Sequence, residues 1–317
     1  MQRVQKVLVG VDLGSESTLV SETLRPAPSA AVSRAVQLAA VTGAELHLVS
    51  VLNIPAITTE DIVEKSAEAT LREAAATALD QIGEEARAAG VKLVVTQVVA
   101  GRVWEALIRY VLAQDIDLLI VGTSSRGVAS RFFFGSTTVK LLRKCPCPVW
   151  VYRPETDGHV QTILVADDFS DVGLKALHMG VSAAQLMNAR LLVVHAIEFP
   201  LDRRLFRLET PDDEIEAYRQ KVQRDAEEEV FERLSQTDYR TIEEGVRIEV
   251  QRGAAAVVIE EALEEHNIDL LVMGTVARGG VTGLLLGNTA EELLHRIHCS
   301  LLAIKPDDFY CPVTKES

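Results

Sequence analysis

Basic residues are in deficit: 32 Lys and Arg face 46 Asp and Glu, a formal net charge of −14 at pH 7. Nucleic-acid binding depends on neutralising phosphates with basic side chains, so no nucleic-acid partner is expected. Cysteine is scarce too, with Cys145, Cys147, Cys299 and Cys311 as the whole set. Four thiols in 317 residues make no disulfide framework, and "CPCP" at 145–148 is not a zinc spacing. Buried, inert thiols in a reducing cytoplasm are the expectation. Long apolar runs are missing: none reaches the roughly 18–20 residues of a membrane span. The opening "MQRVQKVLVGVD" has no basic stretch followed by an apolar signal core, so neither a membrane location nor export is expected. The seven histidines fall at no metal-ligand spacing. Walker A, G-x-G-x-x-G and G-x-S-x-G signatures are absent.

What is present is a repeat. "DIDLLIVGTSSRG" at 115–127 lies over "NIDLLVMGTVARG" at 267–279, and one constant offset carries Gly101 onto Gly253 and Gly135 onto Gly287. "KVLVGVD" at 6–12 matches "TILVADD" at 162–168, and "TGAELHLVSV" at 42–51 matches "MNARLLVVHA" at 187–196. The motifs recur in the same order, which marks the duplication of a domain of about 150 residues, an ordinary domain size. The junction falls in the polar stretch "RPETDGHVQT", giving domains at 1–154 and 159–317.

Within each half, strand-like apolar runs such as "KVLVGV", "ELHLVSV" and "DLLIVG" alternate with stretches of helical periodicity. Strands apolar throughout, joined by helices, mean a parallel sheet covered on both faces. Right-handed crossovers then give two tandem α/β domains, each a doubly wound parallel sheet. For the long helix of the second half, Thr210 is expected as N-cap and Pro211 as first helical residue. The last strand of each half, "PVWVYR" and "SLLAIKP", is expected at a sheet edge, where it invites pairing between the halves as a pseudo-dimer.

In an open α/β sheet, ligands sit outside the carboxyl ends of the strands, at the switch in strand order. The residues expected there in the first half are Asp12, Val51, Gly101 and the loop after Gly122. Their counterparts are Asp168, Ala196, Gly253 and the loop after Gly274. Glycines at such turns allow close backbone approach, and amides at the following helix favour an anionic phosphate. The bland alternative is that these glycines only permit a positive φ and that the aspartates cap helices.

The order Asp after strand 1, then Gly-x2-Gly-x9-Gly-(Ser/Thr/Asn) after strand 4, resembles the universal stress protein (UspA) superfamily over both halves. "LLRKCPCPVWVYRP" and "GNTAEELLHRIHCSLLAIKPDDF" resemble its tandem UspE-type branch. The resemblance implies an adenine nucleotide alpha hydrolase-like fold and dimerisation through the last strand, with association of whole chains as a further option. In ATP-binding members, the strand-1 Asp and the end of strand 2 hold adenosine, and the glycine loop with its Gly-Ser holds phosphates. Carried over, the first half would use Asp12, Val51, Gly101, Gly122, Ser125, Gly135, Ser136 and Thr137. The second would use Asp168, Ala196, Gly253, Gly274, Gly287, Asn288 and Thr289.

Both halves depart from that pattern at one place, where the second glycine is Ser125 or Ala277. If that position needs a positive φ, a Cβ there costs on the order of 1 kcal/mol. The first half keeps Gly135-Ser136 and is the better candidate for ATP or ADP, with or without Mg²⁺. Against it stands an insertion within "LGSESTLVSETLRPAPS" after strand 1. The expected function is a cytoplasmic stress-response module without catalysis, or with slow ATP hydrolysis at most. The alternative is a nucleotide-independent scaffold whose crevices hold another small or apolar ligand or a protein partner. A nucleotidyl transferase of the related folds is disfavoured, since HIGH-like and SGGxDS-like motifs are absent.

Overall fold

A computed structural model describes residues 4–13, 26–53, 62–123, 134–154, 159–199, 211–275 and 286–314. Chain contacts divide it into two compact units. One contains the described residues within Met1–Pro154, Gly279–Leu286 and Ser300–Ser317, and the other those within Glu155–Arg278 and Gly287–Cys299.

The first unit runs β1 (Lys6–Gly10), α1 (Pro26–Thr42), β2 (Glu45–Leu52), α2 (Ile62–Ala88), β3 (Val94–Ala100) and α3 (Val103–Gln114). It continues through β4 (Leu118–Gly122), α4 (Ser136–Lys144) and β5 (Val149–Tyr152). These five strands are parallel in the order β3-β2-β1-β4-β5, so the winding reverses between β1 and β4. Val7, Leu8 and Val9 of β1 are all 0% exposed, which is why the central strand is apolar on both faces rather than alternating.

The second unit repeats the plan with β6 (Thr162–Ala166), α5 (Asp171–Met187), β7 (Arg190–Ile197), α6 (Asp212–Ser235) and β8 (Val246–Arg252). Then follow α7 (Ala255–Glu265), β9 (Leu270–Gly274) and α8 (Asn288–Leu293). Its strands are parallel in the order β8-β7-β6-β9. The last strand of the second repeat, β10 (Ser300–Ile304), lies in the first unit. There it pairs antiparallel with β5, placing Leu301 opposite Val151 and Leu302 opposite Trp150.

The repeated "DID" and "NID" segments have a structural task. Asp117 Oδ2 accepts the backbone N–H groups of Gln5 and Lys6, both at 2.8 Å, just before β1 sets off. Asp269 Oδ2 does the same for Gln161 at 2.7 Å and Thr162 at 3.0 Å before β6. Asp115 after α3 and Asn267 after α7 both take a left-handed conformation, φ 51° and 49°. Asp and Asn tolerate that region because their short side chains bond locally.

Helix α5 starts at a Ser170 N-cap whose Oγ accepts Gly173 N–H at 3.0 Å. It packs on β6 by a glycine: a Cβ on Gly180 would lie 2.1 Å from Val165 Cγ2. The start of α6 differs from the expectation. Pro211 is the N-cap, φ −55° and ψ 141°, rather than the first helical residue, and no side chain caps the helix. Three acidic residues in the first turn, Asp212, Asp213 and Glu214, complement the helix dipole in its place. Thr210 lies outside the described residues.

Candidate functional site

The doubly wound order puts the expected site residues of each half at the carboxyl ends of the strands. In the first unit Asp12 is exposed just beyond β1 and Val51 is half-buried near the end of β2. Gly101, after β3, has φ 128° and donates its N–H to Leu52 O at 3.0 Å. That φ is open to glycine and hardly to other residues, so the β3–α3 turn accounts for this glycine without a ligand. Gly122 ends β4. Gly135 is the N-cap of α4 with φ −60° and ψ 158°, followed by exposed Ser136 and half-buried Thr137.

Gly135 is therefore not glycine for the sake of its φ. A Ser, Asp or Asn there would stabilise the helix by only about a few tenths of a kcal/mol over glycine, itself an accepted N-cap. The glycine instead leaves the first-turn amides of α4 with no side-chain cap. Ser125 lies outside the described residues, as do Ala277 and most of the insertion after β1.

The second unit has the same skeleton. Asp168 is exposed, Ala196 is half-buried, and Gly253 has φ 148° with its N–H on Ile197 O at 3.1 Å. Gly274 ends β9, and a Cβ on it would lie 2.9 Å from Val172 Cγ1, so close helix packing explains it. Gly287, the N-cap of α8, has φ −59°, with exposed Asn288 and half-buried Thr289 following.

The two crevices differ at the ends of their first two strands. Asp167 side chain is 0% exposed, and Arg233 of α6 grips both its oxygens: Nε on Oδ2 at 2.8 Å and Nη2 on Oδ1 at 3.0 Å. Nη2 also donates to Ser170 O at 2.8 Å. Phe169 has φ 63°, and its ring stacks on His195 with centroids 3.7 Å apart and planes 13° from parallel. The Arg233 guanidinium lies 5.7 Å from the Phe169 ring centre. His195 Nδ1 lies 2.8 Å from Asp167 O. A carbonyl only accepts, so that bond sets the Nδ1–H form of the ring. Asp168 Oδ1 accepts from both the amide and the hydroxyl of Ser170, at the entry to α5.

The sequence counterparts in the first unit are Val11 for Asp167, Leu13 for Phe169 and Ser50 for His195. Val11 and Ser50 are both buried, and neither carries an aromatic ring or a charge into the crevice. Reading the sequence overlooked Asp167, Phe169 and Arg233. The doublet "DD" held the signal: across a strand end, neighbouring side chains alternate in direction, so one carboxylate turns inward and requires a cation.

A second buried polar group of the first unit lies at the opposite end of β2. His47 Nδ1 is 2.9 Å from Tyr110 Oη, and Nε2 lies 3.5 Å from Glu45 Oε1 without forming a hydrogen bond. Burial lowers the His47 pKa from 6.5, outweighing the opposing pull of Glu45. A histidine with a lowered pKa in the fold binds fewer protons than in the unfolded chain. Its stabilising share is complete above pH 6.5 and is lost as pH falls from 6.5 towards the lowered value. Urea midpoints taken at pH 7.5 and 5.5 are expected to fall further in wild type than in His47→Gln. Equal drops would show that His47 does not titrate with unfolding.

No group of three or more His, Cys, Asp or Glu suited to a metal occurs among the described residues. No described helix is long and apolar enough to cross a membrane.

The model of the universal stress protein family matches residues 3–153 and again 159–305. Universal stress protein E of Photorhabdus laumondii is 29% identical over 234 residues, covering 71% of this chain and 73% of that one. A functionally unknown protein of Pseudomonas aeruginosa PAO1 shares the fold at TM-score 0.68 and 24% identity, over 97% of this chain and 94% of that one. A universal stress protein of Archaeoglobus fulgidus does so at TM-score 0.63 and 20% identity, over 96% and 99%. The chain belongs to the universal stress protein family, as a tandem protein of the UspE type.

Proposed function

We propose that this chain is a cytoplasmic stress-response module that binds ATP or ADP, with or without Mg²⁺, in the crevice of its first unit. The contrast between the two crevices carries the reading. The second holds its own aromatic stack and a closed carboxylate–guanidinium pair, whereas Val11, Leu13 and Ser50 stand at the matching positions of the first. Asp12 would accept a hydrogen bond from the adenine amine or a ribose hydroxyl, with the backbone near Val51 and Gly101 alongside. The loop from Gly122 through Ser125, and Gly135, Ser136 and Thr137 at the head of α4, would hold phosphates through backbone amides and hydroxyls. No catalytic role is assigned to these residues, and turnover is expected to be absent or slow. The filled second crevice favours a second reading for that unit alone, as a nucleotide-independent surface for a partner.

Nucleotide released on denaturing the purified protein, together with calorimetric titration by ATP and Mg²⁺, tests the proposal. Gly135→Asp puts a carboxylate where phosphate would sit, and should weaken binding at least tenfold, or about 1.4 kcal/mol. The same carboxylate is a good N-cap, so the loss would not come from a melted helix. Gly287→Asp should leave binding unchanged. No nucleotide and no heat would refute the reading, and sensitivity at Gly287 instead of Gly135 would move the site to the second unit.

A further inference from the structure

The thiols Cys145 and Cys147 lie with their sulfurs 3.5 Å apart in the first unit. Cys145, the C-cap of α4, has φ −71° and ψ 131°, an extended conformation that turns side chains two residues apart towards the same side. Pro146 and Pro148 flank Cys147 and restrict the backbone, so little entropy remains to be lost in holding the pair together. Cys145 is 0% exposed and Cys147 8% exposed.

Around them closes the segment that begins with β10. Lys305, 5% exposed, donates from Nζ to Leu142 O, and its ammonium lies 5.0 Å from the Phe309 ring centre. It is the only buried lysine among the described residues. Burial lowers its pKa to about 8, with the two thiols opposing that shift, so part of the population is a neutral amine near neutral pH. Half-buried Cys311 donates from Sγ to Lys144 O at 3.4 Å. The hydrogen bond with Cys145 and burial push the Cys147 thiol well up, so Cys147 keeps its proton and the thiolate role falls to Cys145, where a nearby cation favours the charged sulfur.

We propose that Cys145 and Cys147 form a reversible dithiol–disulfide site oxidised by hydroperoxides, with Lys305 steadying the thiolate. Cys145 gives up its proton to the Lys305 amine, and its sulfur attacks the peroxide. The O–O bond breaks, the departing oxygen takes a proton and leaves as water or an alcohol, and a sulfenic acid remains. The second sulfur attacks that sulfenic sulfur, an S–S bond forms, the S–O bond breaks and water leaves. Two thiols lose two hydrogens and two electrons while one hydroperoxide is reduced. The sulfurs need to close only from 3.5 Å to about 2.05 Å. The ring formed across a single residue is small, which favours ready re-reduction by a dithiol.

The full chain, reduced and then treated with hydrogen peroxide, should lose two hydrogens in intact mass and regain them with dithiothreitol. Peptide mapping under non-reducing conditions should place the bond within the peptide carrying Cys145 and Cys147. Cys147→Ser should abolish the bond and leave a sulfenic acid that a dimedone probe captures at Cys145. Lys305→Met should slow peroxide consumption by the thiols about tenfold. Four alkylatable thiols after peroxide, or a bond from either cysteine to Cys311, would overturn the proposal. An unchanged rate in Lys305→Met would overturn the part given to the lysine.

Discussion

Replacing Arg233 by methionine is expected to cost the second unit about 3–5 kcal/mol of stability, the usual result of stranding one buried charge. Methionine keeps the length and apolar bulk of the arginine stem but withdraws the cation. Among the described residues, the Asp167 carboxylate, with 0% side-chain exposure, then keeps the bond from Phe169 N–H at 3.0 Å and no cation. Arg233 also ties α6 to the turn at Ser170, and its guanidinium faces the ring of Phe169. The loss should therefore spread to the Phe169–His195 stack. Adding Asp167→Leu to Arg233→Met should recover much of the loss, because a buried ion pair replaced by apolar residues of similar volume is often neutral. Urea unfolding followed by hydrogen exchange on α5 and α6 measures both variants, and the exchange assigns the loss to this unit where unfolding is not two-state. A loss below about 1 kcal/mol would mean that the pair behaves like an exposed salt bridge.

Gly180→Ala should destabilise the same unit by about 1–3 kcal/mol, although alanine is the better helix former. Two effects compete at this position in α5. The helix gains roughly 1 kcal/mol from intrinsic propensity. Against that, the new methyl would sit 2.1 Å from Val165 Cγ2 of β6, well inside van der Waals contact, with Leu191 Cδ1 at 3.7 Å behind it. Val165 is 0% exposed and its strand is paired on both sides, so it has little room to withdraw. The clash wins. Val165→Ala removes the offending methyl, and the double variant should be more stable than the sum of the singles by about 1–3 kcal/mol. Thermal melts of the four proteins in the cycle decide it. A single variant as stable as wild type would show that α5 can move off the sheet freely.

Much of this protein is legible along the chain. Apolar strands such as "KVLVGV" and "DLLIVG", the helical stretches between them and the matched motifs lead to two doubly wound α/β units. They also locate the strand ends where Asp12, Gly101, Gly122 and Gly135, with Asp168, Gly253, Gly274 and Gly287, stand. These features rest on short-range physics: side-chain periodicity, turn chemistry and the need to bury both faces of a parallel strand. Even so, the motif alone does not say why each glycine is there. Gly101 answers to its φ and Gly274 to the approach of Val172, while the φ of Gly135 is one that any residue adopts.

Tertiary structure decided the rest. That Asp167 meets Arg233, 66 residues further on, depends on how α6 lies against the end of β6. Lys305 comes within electrostatic range of Cys145 and Cys147 because β10 pairs with β5. The difference between the crevices appears only when Phe169 is seen stacked on His195. The sequence by itself determined the repeat, the fold and the strand ends at which the candidate residues stand, because those follow from patterns within a few residues. Partners far apart in the chain are chosen by packing, where the burial of a charge or a ring is settled by whatever the fold brings beside it.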